Sequence, residues 1–240
     1  MADITSNLEL YLKLDETSGL VATDASGGGN HGNLDGGLDF ANNSVAGQIG
    51  NALDVTGNGR RISFGDQSDF EFTTGAFTLA CWFNTDLPGA TSVSRTTLLN
   101  KQHTGLLINP GYRLNVWAGK LRFLIGDGAF SDFVQNETLV NDGQNHFACL
   151  TMSSAKEMTL YLDQEAPIAK THALGSLDTS IALGVGGLAW VTTFGFDGWL
   201  DDFRIYSREL AAEDVTALYN FTGESLALSS STNVGLSVSV

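Results

Sequence analysis

The sequence predicts an all-β fold, a sandwich or barrel of short strands, and three observations predict it. Apolar and polar residues alternate with period two in segment after segment, as in strands with one buried face. The chain carries 28 glycines against 3 prolines, which fits numerous tight turns rather than a disordered linker. Turn-like breaks such as NGR, AGK, SSAKE and LDQE separate the segments, the rhythm of a sandwich or barrel. The 240 residues, 42% of them hydrophobic, are enough to bury a sizeable core in one large domain or two.

The elements can be read in order. FTLACWF places Phe77, Leu79, Cys81 and Phe83 on one face and Thr78, Ala80 and Trp82 on the other. GKLRFLIG sets Leu121, Phe123 and Ile125 opposite Arg122 and Leu124. HFACLTM reads as a core strand, and MTLYLD puts Met158, Leu160 and Leu162 on one side. FDGWLDDFRIY is expected to hold Trp199, Asp201, Phe203 and Ile205 on one face. SRELAAEDVTALYNF spaces Leu210, Val215, Leu218 and Tyr219 as an amphipathic helix, with Glu213 and Asp214 in the first turn, where carboxylates favour the helix dipole. This short helix is expected on an edge of the sandwich. Beyond Phe221 the chain is uncharged except for Glu224, and the alternation in GLSVSV points to an extended C-terminal arm or linker over 222–240 that can pair with another chain.

A net charge of −15 disfavours nucleic acid and anionic membrane as partners and leaves cations and neutral ligands such as sugars open. No run of about 18 apolar residues exists, so no membrane-inserting helix is expected. The start, MADITSNLELYLKL, lacks the basic and apolar regions of a signal peptide. Cys81 and Cys149 lie in core-like strands without CxxC or Cys/His spacing, so two buried free thiols are expected rather than a disulfide or metal pair.

LYLKLDETSG (10–19), DASGGGNHGNL (24–34), GNALDVTGNGRRISFGD (50–66), FTLACWF (77–83), LLNKQ (98–102), NDGQNHFACLTM (141–152), MTLYLDQ (158–164) and GWLDDFRIYSRELAAEDVTALYN (198–220) follow one another in a telling order. As an ordered set they resemble the laminin-G-like domains of the concanavalin-A-like lectin/glucanase superfamily, over about 8–221. The resemblance implies a two-sheet antiparallel jelly-roll sandwich over 1–221 with one short closing helix. It also implies a non-catalytic role in carbohydrate binding or adhesion, with a glycan or glycoprotein partner, in an extracellular, cell-surface or virion-associated setting. Three positions depart from the pattern: Asn145 stands for a tryptophan, Gln164 for the glycine of a hairpin, and Ala211 for a Ser or Thr helix cap.

DASGGGNHGNLDGG (24–37) raises the question of a ligand loop. It is no phosphate cradle, because no Lys lies between 14 and 100 and no helix pattern follows. Nor is it an EF-hand, because Gly28 and Asp35 stand where that loop needs a ligand and a Glu. The resemblance implies instead a structural calcium ion joining an N-terminal loop to a C-terminal strand, with Asp24, Asn30 and the carbonyls near Gly32 as donors in this chain. The second half is expected at GWLDDFRIY. Asp201 shares the predicted core face of Phe203 and Ile205, and a buried carboxylate there needs a partner or a metal, so Asp201 or Asp202 is the expected ligand, with Glu16 as a further donor.

A sugar site combines an aromatic platform with planar polar side chains. Trp190, Trp117, Tyr112, Arg113 and His103 are the candidate ligand-binding residues, with Arg95 preceding TTLLNK. No E-x-D-x-x-E cluster of a glucanase, no G-x-S-x-G and no H-E-x-x-H occurs, so no catalytic residue is proposed. His31 and His146 match positions where the family often has histidine, and a structural role is expected for both. A carbohydrate-binding module is the leading expectation, beside a structural or assembly domain without a glycan ligand and a glycoside hydrolase with unrecognised acids.

Overall fold

The computed structural model describes residues 2–73, 75–87, 96–103, 106–189 and 195–223. Most of the arm expected over 222–240 therefore lies outside the described residues. The strands are β1 (Leu8–Leu12), β2 (Val21–Ala22), β3 (Gly32–Asp35), β4 (Ser44–Ala46), β5 (Asn51–Asp54), β6 (Arg61–Ser63), β7 (Phe77–Asn84) and β8 (Thr97–Gln102), followed by β9 (Gly111–Trp117), β10 (Lys120–Gly126), β11 (Ser131–Gln135), β12 (Asn145–Met152), β13 (Glu157–Leu162), β14 (Ile168–Thr171), β15 (Gly184–Val185) and β16 (Trp199–Tyr206). Two α-helices, α1 (Phe40–Asn43) and α2 (Ala212–Tyr219), and a short 3-10 turn (Ser68–Phe70) are described.

The strands form two antiparallel sheets. The first runs β14-β13-β12-β7-β16-β5-β4, with β1 also paired to β16; the second runs β11-β10-β9-β8-β15-β6-β3-β2. This is the sandwich that the alternation predicts. Phe77, Leu79, Cys81 and Phe83 face Tyr112, Leu121, Phe123 and Ile125 across a shared interior, joined by Met158, Leu160 and Leu162. Phe72 stacks on Phe77 at 4.5 Å, and each such side chain contributes about 1.5–3 kcal/mol through burial. The β9–β10 hairpin turns through Ala118 and Gly119, both at positive φ, the geometry that matches strand twist. At the β13–β14 hairpin, Asp163 takes the left-handed conformation (φ 51°), so Gln164 needs no glycine.

Two placements differ from the sequence reading. β16 is bulged: Asp201 pairs with Trp82 and Arg204 with Ala80, so Asp202 and Phe203 together face Cys81. Asp202 has φ 49°. The extra residue shifts the alternation, and Leu200, Phe203 and Ile205 point into the core while Trp199 joins the opposite face. Helix α2 covers the outer face of the first sheet rather than an edge. Its Val215 and Leu218 pack with Leu210 and Ile4 over Ala80, Trp82, Phe147 and Cys149, a second apolar layer. Cys81 and Cys149 are free and buried, one in each layer, and burial pushes both thiols up.

Candidate functional site

The outward face of β8–β11 holds an unusual set of side chains. Core-facing Leu114, Val116, Leu121, Phe123 and Ile125 alternate with Arg113, Asn115, Trp117, Arg122 and Leu124, which point the other way. The register makes two cross-strand rows, Asn100–Arg113–Leu124–Phe133 and Thr97–Asn115–Arg122–Gln135. Arg113 donates from Nε to Asn100 Oδ1 at 2.9 Å, and Arg122 from Nε to Asn115 Oδ1 at 3.4 Å. The Arg122 guanidinium stacks 4.3 Å from the Trp117 ring and 5.8 Å from Phe133. Segment 106–109 folds over one end, where Gln102 Nε2 donates to the carbonyls of Leu107 and Asn109.

Both arginines are buried, Arg113 at 3% and Arg122 at 6% exposure, while Phe133 keeps 47% of its surface and Trp117 is partly exposed. Burial, joined by the like charge of Arg122, lowers Arg113 to about 10; burial lowers Arg122 to about 10. Both therefore stay charged at neutral pH. Among the described residues, Arg122 Nη2, Asn115 Nδ2 and Gln102 Oε1 are buried without a hydrogen-bond partner.

Of the residues expected to bind ligand, Arg113 and Trp117 lie on this face, four residues apart along β9. Tyr112 does not. The strand period turns it inward, where its hydroxyl donates to the Phe70 carbonyl at 3.1 Å and its ring packs on Phe72 and Phe77. His103 lies exposed just past β8, and its carbonyl accepts a bond from Asn109. Trp190 and Arg95 lie outside the described residues. Arg122, Asn100 and Asn115 join the set through strand pairing. Arg122 was legible in the sequence as an outward residue of GKLRFLIG, but its meeting with Arg113 depends on the hairpin register.

The expected calcium donors are distributed differently. Asp24 accepts from the amides of Tyr11, Ser26 and Asn30 and from the Ser26 hydroxyl, at 2.8–3.0 Å. Burial raises its carboxyl, but these bonds outweigh burial and hold it below the ordinary value. Asn30 spends its side-chain amide on Glu9 O and Asp69. Gly32 sits in β3 because a Cβ there would stand 2.3 Å from Ile62. Glu16 Oε1 accepts from the Thr23 amide at 2.7 Å, and Oε2 is buried without a partner.

At the far half, Asp201 Oδ2 accepts from the Gln48 and Ile49 amides at 2.9 and 2.8 Å. Its Oδ1 is buried and unpartnered. Burial pushes Asp201 up to about 7; the two amides oppose it, while Asp202 and Asp15 add to it. Asp202 pairs with Arg204 at 3.0 Å, and that guanidinium lies between the rings of Tyr11 and Phe221. Amides, the Ser26 hydroxyl and one arginine thus occupy most of these carboxylate oxygens. Among the described residues no group of three or more His, Cys, Asp or Glu stands ready for a metal ion.

His31 and His146, for which a structural role is expected, each bond within the fold. His31 Nδ1 accepts from the Asp24 amide at 3.0 Å. His146 lies between Asp163 at 2.8 Å and Asp142 at 3.1 Å. Sequence reasoning missed an open cavity of about 500 Å³ lined by Asp66, Ser68, Glu71, Asp178, Thr179 and Ser180. Buried Lys101 reaches into this acidic corner, 3.1 Å from Asp66 and 2.5 Å from Glu71. Burial and the Asp178 carboxyl raise Glu71, and Lys101 opposes them. Its acids come from separate segments, so no local motif announces it.

Among solved structures, the binding domain of Paraclostridial Mosquitocidal Protein 1 superposes with a TM-score of 0.72 at 16% identity, covering 91% of this chain and 53% of that one. The binding domain of Botulinum Neurotoxin DC in complex with SialylT gives 0.65 at 16% identity, covering 91% and 52%. The botulinum neurotoxin serotype D ligand binding domain in complex with N-acetylneuraminic acid gives 0.65 at 18%, covering 89% and 50%. The chain thus spans about half the length of these domains, and the likeness is one of fold. A comparison with curated protein sequences finds no match. Among the described residues, no helix is long and apolar enough to cross a membrane. A laminin-G family model matches residues 56–216, two thirds of the chain, and the protein belongs to the concanavalin A-like lectin/glucanases superfamily.

Proposed function

We propose that this protein is a non-catalytic carbohydrate-binding module that takes its ligand on the outward face of β8–β11 and works outside the cell, on a surface or in a larger assembly. The observation that carries the reading is the meeting of Trp117 with Arg122, Arg113, Asn115 and Asn100 on one sheet face. An aromatic ring offers a platform to the apolar side of a sugar ring, and planar amide and guanidinium groups fix its hydroxyls. Superfamily membership supports the reading. So do the glycans named with two of the neurotoxin domains, although each of those domains is about twice the length of this chain. The sequence carries no E-x-D-x-x-E run of the kind that glucanases on this fold use.

A glycan array probed with the full chain tests the proposal. Binding to a defined subset of glycans, lost in Trp117→Ala while the melting temperature is kept, is the expected result. Absence of binding across the array, or binding untouched by Trp117→Ala, contradicts it.

A further inference from the structure

Four lysines or arginines are buried among the described residues: Lys101, Arg113, Arg122 and Arg204. Lys101 has Asp66 and Glu71, and Arg204 has Asp202. Among the described residues, Arg113 and Arg122 have no carboxylate partner. Their Nε groups reach only the neutral amides of Asn100 and Asn115, and Arg122 Nη2 is buried with no acceptor. The two lie diagonally on adjacent strands, because Arg113 pairs with Leu124 and Arg122 with Asn115. Like charges in a dry site repel each other and pay desolvation twice. The anomaly is sharper in a chain of net charge −15, which has 27 acidic residues to spare for pairing.

We infer that the ligand of this face is anionic, a sugar bearing a carboxylate or a sulfate, which the guanidiniums of Arg122 and Arg113 grip. The inference rests on the carbohydrate-binding reading above and deepens it. A planar carboxylate or a sulfate matches the two-pronged donor geometry of a guanidinium, and a charged acceptor makes stronger bonds than a hydroxyl. Trp117 and Phe133 flank Arg122 and keep exposed surface while Nη2 itself is covered, so an anionic ligand engages Nη2 as these side chains move aside. The acidic surface elsewhere repels such a ligand at long range, so the site holds by contact rather than by steering.

Titration calorimetry of the full chain with lactose, 3′-sialyllactose and lactose 3-sulfate decides the matter. At least one acidic sugar binds on the order of tenfold or more tightly than lactose, and Arg122→Met removes that preference. The comparison of the two acidic sugars separates carboxylate from sulfate recognition. Arg122→Met also checks folding, because removing one of two unpaired buried charges leaves the ligand-free melting temperature unchanged or higher. Equal affinity for lactose and both acidic sugars overturns the inference and leaves the carbohydrate-binding reading standing. So does a glycan array with neutral sugars alone among the binders. An acidic preference that survives in folded Arg122→Met and Arg113→Gln also overturns it. Absence of binding to every sugar, here and on the array, overturns both.

Discussion

Asp201 and Asp202 are neighbours with opposite circumstances, and the difference lies in what each carboxylate touches. Asp202 has the Arg204 guanidinium; Asp201 has two amides on one oxygen and nothing on the other. An unfolded aspartate ionises near pH 3.9, whereas burial holds folded Asp201 at about 7. Between those values the folded state binds more protons, so this residue makes stability fall as pH rises from about 4 to 7. Asp201→Asn keeps an acceptor for the amides of Gln48 and Ile49 and removes the charge. Its melting temperature should exceed that of the parent at pH 8, with a gap that closes toward pH 4; a lower value at pH 8 would show that the charge is compensated.

His146 has the reverse sign. Burial lowers it, but the bonds to Asp163 and Asp142 outweigh burial and raise it above the ordinary value. The stabilisation is fully present below about pH 6.5 and is lost as pH climbs through the raised folded value. In urea unfolding, His146→Gln should cost more stability at pH 5.5 than at pH 8.5. An equal cost at both values would mean that the histidine acts through its neutral hydrogen bonds alone.

At the scale of elements, alternation was a sound guide wherever the strand was regular. The faces of β7, β10 and β13 were readable residue by residue, because each is itself regular and pairs without a register shift with β12, β9 and β12 respectively. It failed at β16, where a single left-handed residue, Asp202, inserts a bulge that nothing in WLDDFRIY announces. The same bulge explains why Asp201 does not share the core face of Phe203. The seat of α2 was half-legible. FTLACWF and HFACLTM are apolar on both faces, which calls for a cover on the outer side, but amphipathic spacing alone does not say which surface a helix covers. Helix α2 begins without a side-chain cap at Ala211, while Asp214 Oδ2 already accepts from the Ala211 amide at 3.3 Å. Ala211→Ser should complete the reciprocal pair and add about 1 kcal/mol, a rise of about 2–4 °C in melting temperature for a chain of this size. No rise would mean that the first turn is held by packing alone. In β3, Gly32→Val should lower the melting temperature by several degrees, because its Cβ would stand within 3 Å of both Ile62 and Phe64.

For the whole molecule, the sandwich was legible because it rests on many repeated local signals, and the site was legible only in part because it rests on register. Arg113 and Trp117 could be named from one strand; Arg122, Asn100 and Asn115 come to them across β8, β9 and β10. Tyr112 was misplaced because a strand lends every second residue to the core, and the phase of GYRLNVW was not fixed in advance. In the loop DASGGGNHGNLDGG, Asp24 ties β1 to its neighbours by accepting from the backbone amides of Tyr11 and Asn30. The proposed binding face carries an aromatic platform and two arginines that have no carboxylate partner among the described residues, at a distance in sequence from that loop. Chemical-shift mapping tests this most directly, using a uniformly nitrogen-labelled full chain titrated with the tightest glycan from the array. The account predicts that the Trp117 indole N–H and the Arg113 and Arg122 Nε–H signals shift first and most. Shifts confined to the Asp66–Glu71–Asp178 cavity or to helix α2, with this sheet face silent, would contradict it.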